Sequence, residues 1–394
     1  MSKIIVIGAG KTGRGFIGRL ICESRSGCRN TASAKNISDC RNTTSAMNVP
    51  GCPEIIFIDK NKELVTQLNQ EKSFTVSFFG GRREDFTVDN FCAYTWEKLP
   101  SDLFAQADLI LVSVCGPNLK DVGKELSTRL HPDKHYYIIT CENSSHPSVV
   151  LKEAIGLSNV SVSEATVFCT TIEKTGLDIS SENYPYLQCD GDLLDGYVPP
   201  VKAIKPISAF GNFLTRKLFT YNAASCIIAY LGWLKGYTDY AEAANDEEIL
   251  QLLDRNYAVT NDCLCREFGY EKADQEEFAK LSRDKFTDRT IADTVARNAR
   301  EPQRKLGKEE RIIGPLLVIN HYGQDASVLE MTAAAALLYD NEGEDTWRAI
   351  KSGKTCEELL TGLCGLTPDC PSFAAITAYY HKFSYRKKGE PLCD

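Results

Sequence analysis

KIIVIGAGKTGRGFIGRL, Lys3–Leu20, decides how the chain begins to fold. An apolar run comes first, then Gly8, Gly10 and Gly13 in GxGxxG spacing, then apolar residues at helical intervals; strand, tight turn and helix are expected in that order. In that setting Gly8 permits the turn, Gly10 lets the backbone approach a pyrophosphate, and Gly13 lets the helix pack on the strand. The helix N-terminus then faces the anion, with Thr12 a further cofactor-side residue of the loop. Glycine spacing alone also fits an ordinary turn. The flanking strand and helix favour a dinucleotide cradle.

A second apolar run, EIIFIDK, ends in Asp59, whose carboxylate suits a ribose 2′-hydroxyl and repels a 2′-phosphate, favouring NAD over NADP. The usual interval of about 20 residues between glycine loop and acid is exceeded, which places an insertion at 24–53. There CRNTASAKNISD is followed at once by CRNTTSAMNVPG, a tandem repeat rich in Asn, Ser, Thr and Ala without apolar periodicity. A surface loop is expected. Cys28, Cys40 and Cys52 recur evenly, and three thiolates are chemically able to hold zinc. No CxxC pair or neighbouring histidine accompanies them, so a duplicated loop and no metal site is the expectation.

DLILVSVCGPN and HYYIITCENSS read as buried strands whose C-terminal loops line the cleft of an open parallel sheet. Ser113 to Gly116 would pass beneath the cofactor. Glu142 and Asn143 fall toward its nicotinamide end or, on the plainer reading, cap their own loop.

From about Ala203 the pattern turns helical: FGNFLTRKLFTYNAASCIIAYLGWLKGY, ANDEEILQLLDRNYAVTNDCLCREFGY and SVLEMTAAAALLYDNE. The fold class expected is therefore α/β, a Rossmann-like doubly wound sheet over 1–202 followed by a mainly α-helical domain over 203–394. Turn formers crowd Glu173 to Pro206, a connecting region with room for short strands. Within the first helical stretch Lys217 stands among Leu218, Phe219 and Tyr221. At 100° per residue Asn222 lies about 140° around from it and Ser225 about 80°, so the three share one broad arc. A partly desolvated lysine there has its pKa lowered toward that of a general base. The alternative is a snorkelling lysine whose stem covers apolar surface.

Composition limits the function classes. With 43% hydrophobic and 25% charged residues the 394-residue chain reads as globular, and its length suits two domains of roughly 150 to 200 residues. A net charge of −8 offers no positive field for nucleic acid or anionic lipid. No apolar run approaches the ~20 residues of a membrane span. MSKIIVIG runs straight into the first strand without signal-peptide features, and the sixteen cysteines are scattered through apparent strands and helices as reduced thiols. A cytoplasmic protein, monomeric or a small homo-oligomer, is expected.

GAGKTGRGFIG, the CEN of TCENSS, KLFTYNAAS followed by AYLGWLKGY, and REPQRKLGKEERIIGPL together resemble the polyol-specific long-chain dehydrogenases/reductases, in particular their mannitol-phosphate branch. The likeness covers most of the chain. It implies metal-free hydride transfer between NAD(H) and a polyol or the matching keto sugar. The family's motif of lysine, four residues, asparagine, two residues and histidine falls on Lys217, Asn222 and, in the histidine's place, Ser225. On this resemblance Lys217 exchanges the alcohol proton, Asn222 donates to the oxygen as charge develops, and Ser225 meets a substrate hydroxyl through a shorter, uncharged group. On the same resemblance the family's Asp-Arg-Ile stretch is replaced by Phe168, Cys169 and Thr170, so Cys169 becomes a substrate-side residue and the substrate-side arginine is lost. Arg304 and Lys305 remain to meet an anionic group, or form structural ion pairs.

An NAD-dependent oxidoreductase of polyols, sugars or sugar-derived alcohols is therefore expected, with an altered pocket. Two rivals keep the cofactor: a glycosidase, lyase or epimerase with transient oxidation, and a catalytically impaired nucleotide-binding protein, for which Ser225 is the main argument.

Overall fold

The computed structural model describes residues 3–29, 53–81, 83–144, 146–386 and 390–392. A helix, Arg19–Arg29, enters the expected insertion; the remainder of the repeat, including Cys40 and Cys52, lies outside the described residues. The chain forms two compact units, 1–210 and 211–394.

Among the described residues the first unit has twelve strands: β1 Lys3–Ile7, β2 Glu54–Ile58, β3 Ser73–Phe78, β4 Phe86–Asp89, β5 Phe91–Tyr94, β6 Ala107–Val112, β7 Tyr136–Cys141, β8 Val160–Thr166, β9 Thr171–Glu173, β10 Ile179–Ser181, β11 Leu187–Asp190 and β12 Ile204–Ile207. Eight of them form one sheet in the order β12-β11-β8-β7-β6-β1-β2-β5. From β5 to β8 all neighbours are parallel; β11 then runs antiparallel to β8 and carries β12 beside it. β1 is followed outward by β2 on one side and by β6 on the other, so the winding direction reverses between β1 and β6. That reversal opens a crevice at the strands' C-terminal ends, where ligands of such sheets bind.

Burial on both faces explains the composition of these strands. Ile4, Ile5, Val6 and Ile7 are each essentially inaccessible, as an unbroken apolar run requires in a parallel sheet covered above and below. By contrast SFTVSF of β3 alternates buried and half-buried residues, and β3 belongs to a smaller sheet, β4-β3-β10-β9. Of those short strands β10 lies in the turn-rich connecting region, and β9 ends at its first residue, Glu173.

In the second unit every described element longer than a bridge is helical. Its centre is the helix Ala223–Lys235, whose Cys226 to Leu231 are buried without a break, packed against Ser327–Leu338, which is buried nearly all round. Around them run Glu247–Phe268, capped by Asp246 and ended at Gly269, and Lys272–Phe286. Trp347 is fully buried, and its indole nitrogen donates to the Tyr339 carbonyl at 2.9 Å, so no polar atom of that ring is stranded. Among the described residues no helix is long and apolar enough to cross a membrane.

Candidate active site

In the first unit a cleft of about 330 Å³ lies at the β1/β6 reversal, with Gly8, Gly10, Asp59, Trp96, Ser113 and Cys115 among its walls. The glycine loop is held tightly beneath it. Gly8 has φ +95°, and a Cβ there would stand 2.2 Å from the Ser113 carbonyl oxygen; a Cβ on Gly13 would stand 2.0 Å from that of Gly8. Neither position admits a side chain. A Cβ on Gly10 would meet nothing within 4 Å, so that side of the backbone is open to a close-lying pyrophosphate. This geometry fits a dinucleotide.

Asp59 also secures the loop. Its Oδ2 accepts the Ala9 amide at 2.7 Å and its Oδ1 the Asn61 amide at 2.9 Å. Each oxygen keeps a further lone pair for a ribose hydroxyl. Arg14, which sequence reasoning overlooked, is buried under the same loop and donates to the Ala9 carbonyl at 2.7 Å; burial lowers its pKa.

Further residues expected at the cofactor, and Cys169 expected at the substrate, make contacts within the chain. Thr12 Oγ1 lies 3.4 Å from Thr171 Oγ1. Asn143 clamps Val167, its amide nitrogen donating to the Val167 carbonyl and its oxygen accepting the Val167 amide, both at 2.8 Å. Glu142 is half-buried, and burial raises its pKa. Buried Cys169 has its sulfur 3.2 Å from Ser181 Oγ.

In the second unit the helix Phe210–Lys217 does not continue as a regular α-helix. Leu218–Asn222 is a π-helical turn, and the Ala223 amide donates to the Leu218 carbonyl, five residues back. A π turn holds one residue more than an α turn. The angles expected for an unbroken α-helix therefore shift by about one residue's 100°, which brings Asn222 to about 40° from Lys217 and Ser225 to about −20°. The broad arc becomes one narrow stripe.

Arg216, the residue before the lysine, fixes the start of this turn. It is buried, donates through Nε to Gln275 Oε1 at 2.6 Å, pairs with Asp274 at 2.7 Å, and lies over the rings of Tyr270 and Phe278. Lys217 itself is half-buried, and its pKa falls to about 8, chiefly through burial and further through the positive charges of Arg311 and Lys285. Asn222 Oδ1 is buried without a hydrogen-bond partner, an unmet acceptor.

Ser225 sits in a short chain of polar groups. Tyr240 donates its hydroxyl to Ser225 Oγ at 3.3 Å, and Ser225 Oγ donates to Asn298 Oδ1 at 3.3 Å. Burial pushes the Tyr240 phenol well up in pKa, so it stays a donor. Lys305 is buried and its ammonium bonds the Asn298 carbonyl, while exposed Arg304 pairs with Glu301 at 2.8 Å. Both of the cations expected to meet an anionic substrate thus have partners within the chain. Among the described residues no group of three or more His, Cys, Asp or Glu side chains is arranged to hold a metal.

Residues 2–172 match the family model described as the mannitol dehydrogenase Rossmann domain, and residues 210–358 the one described as the mannitol dehydrogenase C-terminal domain. The chain belongs to the mannitol dehydrogenase family. It is an NAD-dependent polyol oxidoreductase of that family. Mannitol-1-phosphate 5-dehydrogenase of Oceanobacillus iheyensis is 28% identical over 87% of this chain and 88% of its own length. The enzyme of the same name from Bacillus pumilus is 28% identical over 95% and 98%. In fold the chain resembles Pseudomonas fluorescens mannitol 2-dehydrogenase, solved as a ternary complex with NAD and D-mannitol, with TM-score 0.60, 14% identity and coverage of 98% of this chain and 92% of that one. It also resembles a substrate-free D-sorbitol dehydrogenase, with TM-score 0.73, 12% identity and coverage of 99% and 94%.

Against the mannitol dehydrogenase motif stated above, Lys217 and Asn222 keep the family's residue types and Ser225 does not. Tyr240 and Asn298 were not found from sequence. Neither falls in a recognisable pattern, and each reaches Ser225 only through helix packing.

Proposed function

We propose that the first unit holds NAD through Gly8, Gly10, Asp59 and Ser113, and that Lys217, Asn222 and Ser225 act on a polyol, sugar or sugar-derived alcohol or its ketone. NAD, when bound, supplies the hydride acceptor for alcohol oxidation, and NADH the donor for the reverse. Neutral Lys217 Nζ takes the proton of the reacting hydroxyl, or returns it during reduction. The Asn222 amide donates to that oxygen as negative charge grows on it, an oxyanion-type role. Ser225 accepts from a neighbouring substrate hydroxyl with the lone pair not used by Tyr240.

The observation that supports this most is the π turn, because it lines up an amine of depressed pKa, an amide and a hydroxyl on one stripe. A snorkelling lysine would need neither the lowered pKa nor the alignment. On cytoplasmic location the support is the wealth of cysteines, sixteen in all, many of them in strands and helices.

The test is reduction by NADH of a panel of ketoses, each paired with its phosphate ester, and oxidation of the matching polyols including mannitol 1-phosphate. The pairing matters because Arg304 and Lys305 have partners in the chain, whereas Arg311 and Lys285 bring positive charge to Lys217. Turnover is expected, and Lys217→Ala should abolish nearly all of it while calorimetric NADH affinity stays within about twofold, since that affinity is ascribed to other residues. Proven NADH binding with no turnover on any member would sink the reading.

A further inference from the structure

The cleft contains an aromatic residue that the glycine fingerprint says nothing about. In this fold the acid ending the second strand meets the adenosine ribose, so the base lies past Asp59, on the side away from the glycine loop. There β5 lies beside β2, with Tyr94 paired to Ile58 and the Asp59 amide donating to the Tyr94 carbonyl at 3.1 Å. Two residues after Tyr94 the chain turns, and Trp96 lines the cleft together with Val122 of the helix Leu119–Ser127. Trp96 is the one aromatic side chain lining the cleft among the described residues.

The indole is held in place. Arg129 lies over it with its guanidinium carbon 5.5 Å from the ring centroid, donates to the Trp96 carbonyl at 3.3 Å, and is paired with Glu125 of the helix Leu119–Ser127. The rest of Trp96 packs on the apolar core beneath the sheet. A half-buried indole that lines a cleft and is held by a neighbouring guanidinium offers a surface on which a purine stacks.

The geometry points to Trp96 as the platform for the adenine of NAD, with Arg129 as the residue that positions it. This rests on the cleft being the NAD site. It makes the adenine half of the cofactor, rather than the pyrophosphate alone, a measurable share of its affinity.

Trp96 shares the chain with two other tryptophans, Trp233 and Trp347, both in the second unit. ADP-ribose, which carries adenine and no nicotinamide, should therefore quench tryptophan emission on titration, and nicotinamide mononucleotide should not. In Trp96→Phe the quench should vanish while ADP-ribose still binds. In Trp96→Ala, calorimetry should show ADP-ribose and NADH weakened about tenfold, the scale of one lost base stack, with competition by nicotinamide mononucleotide unchanged. Arg129→Ala should give part of that loss. ADP-ribose that quenches Trp96→Phe as it does the native protein, or that binds a folded Trp96→Ala undiminished, overturns the assignment. Should Trp96→Ala fail to fold, the Phe variant alone decides. A native protein that binds no NADH would instead sink the cofactor site itself.

Discussion

The Ala223 amide donates to the Leu218 carbonyl, one residue further back than an α-helix allows. The extra residue in that turn is what carries Asn222 around to the Lys217 side of the helix. Asn222→Ala should therefore lower kcat by about 10²-fold, the usual loss for one donor to a developing oxyanion. KM should change little and NADH affinity not at all. Equal losses in kcat and kcat/KM would mark an interaction made in the transition state; a rise in KM alone would place Asn222 in ground-state binding and defeat the assignment.

Lys217 sets the pH dependence. Its pKa falls from the ordinary 10.5 to about 8 on folding, so between those values the unfolded chain keeps a proton that the native chain has released. The group consequently adds stability as pH rises from about 8 toward 10.5 and withholds it below 8. For catalysis, kcat/KM for polyol oxidation should climb about tenfold per pH unit below that point and level off above it. Lys285→Met removes one of the positive neighbours, which favours the ammonium, so the inflection should move to higher pH. A profile flat from pH 6 to 9, or one that Lys285→Met shifts downward, would contradict the role given to this amine.

The glycine loop was legible because its chemistry is local: a positive φ at Gly8 and a 2.0 Å approach at Gly13 exclude side chains whatever the rest of the fold does. Strands such as β6 and β7 announced themselves by unbroken apolar runs. What stayed hidden depends on register or on distance along the chain. LFTYN contains no glycine or proline to betray a π turn, so an α-helical count gave the arc of the site residues but not their alignment. β9 and β10 span three residues each, too few for alternation to show. Arg304 and Lys305 read as ready for an anion, yet Glu301 stands three residues before one and Asn298 offers the other a carbonyl. Their partners exist only once the turn between them has formed.

Ser225 is held by two long hydrogen bonds, 3.3 Å each, from Tyr240 and to Asn298. Hydroxyl pairs prefer about 2.7–2.8 Å, so both contacts are weak and readily traded for a substrate hydroxyl. Ser225→Ala should cost turnover only a few-fold, on the order of one neutral hydrogen bond. Asn298→Ala leaves Ser225 free to rotate and should raise KM for polyol more than it lowers kcat, with Tyr240→Phe doing the same more weakly. If Ser225→Ala removed activity as completely as Lys217→Ala, the serine would be acting in proton transfer and not in substrate positioning.

Asp59 is asked to do two things, and they can be separated. Its oxygens accept the Ala9 and Asn61 amides, which ties the glycine loop to the end of β2, and the same carboxylate faces the adenosine ribose on the reading given above. Asp59→Ala strands both amides. Hydrogen bonds to a charged group are each worth about 1.5–3 kcal/mol, so the melting temperature should fall by several degrees as well as the affinity for NADH. Asp59→Asn keeps an acceptor for one amide and removes the charge that repels a 2′-phosphate. It should therefore lose less stability than the alanine variant while still shifting preference toward NADPH, measured as the ratio of the two dissociation constants. Were both variants to keep the native preference for NADH, the carboxylate would be a support for the loop alone, and discrimination between the two cofactors would have to come from another residue of the cleft.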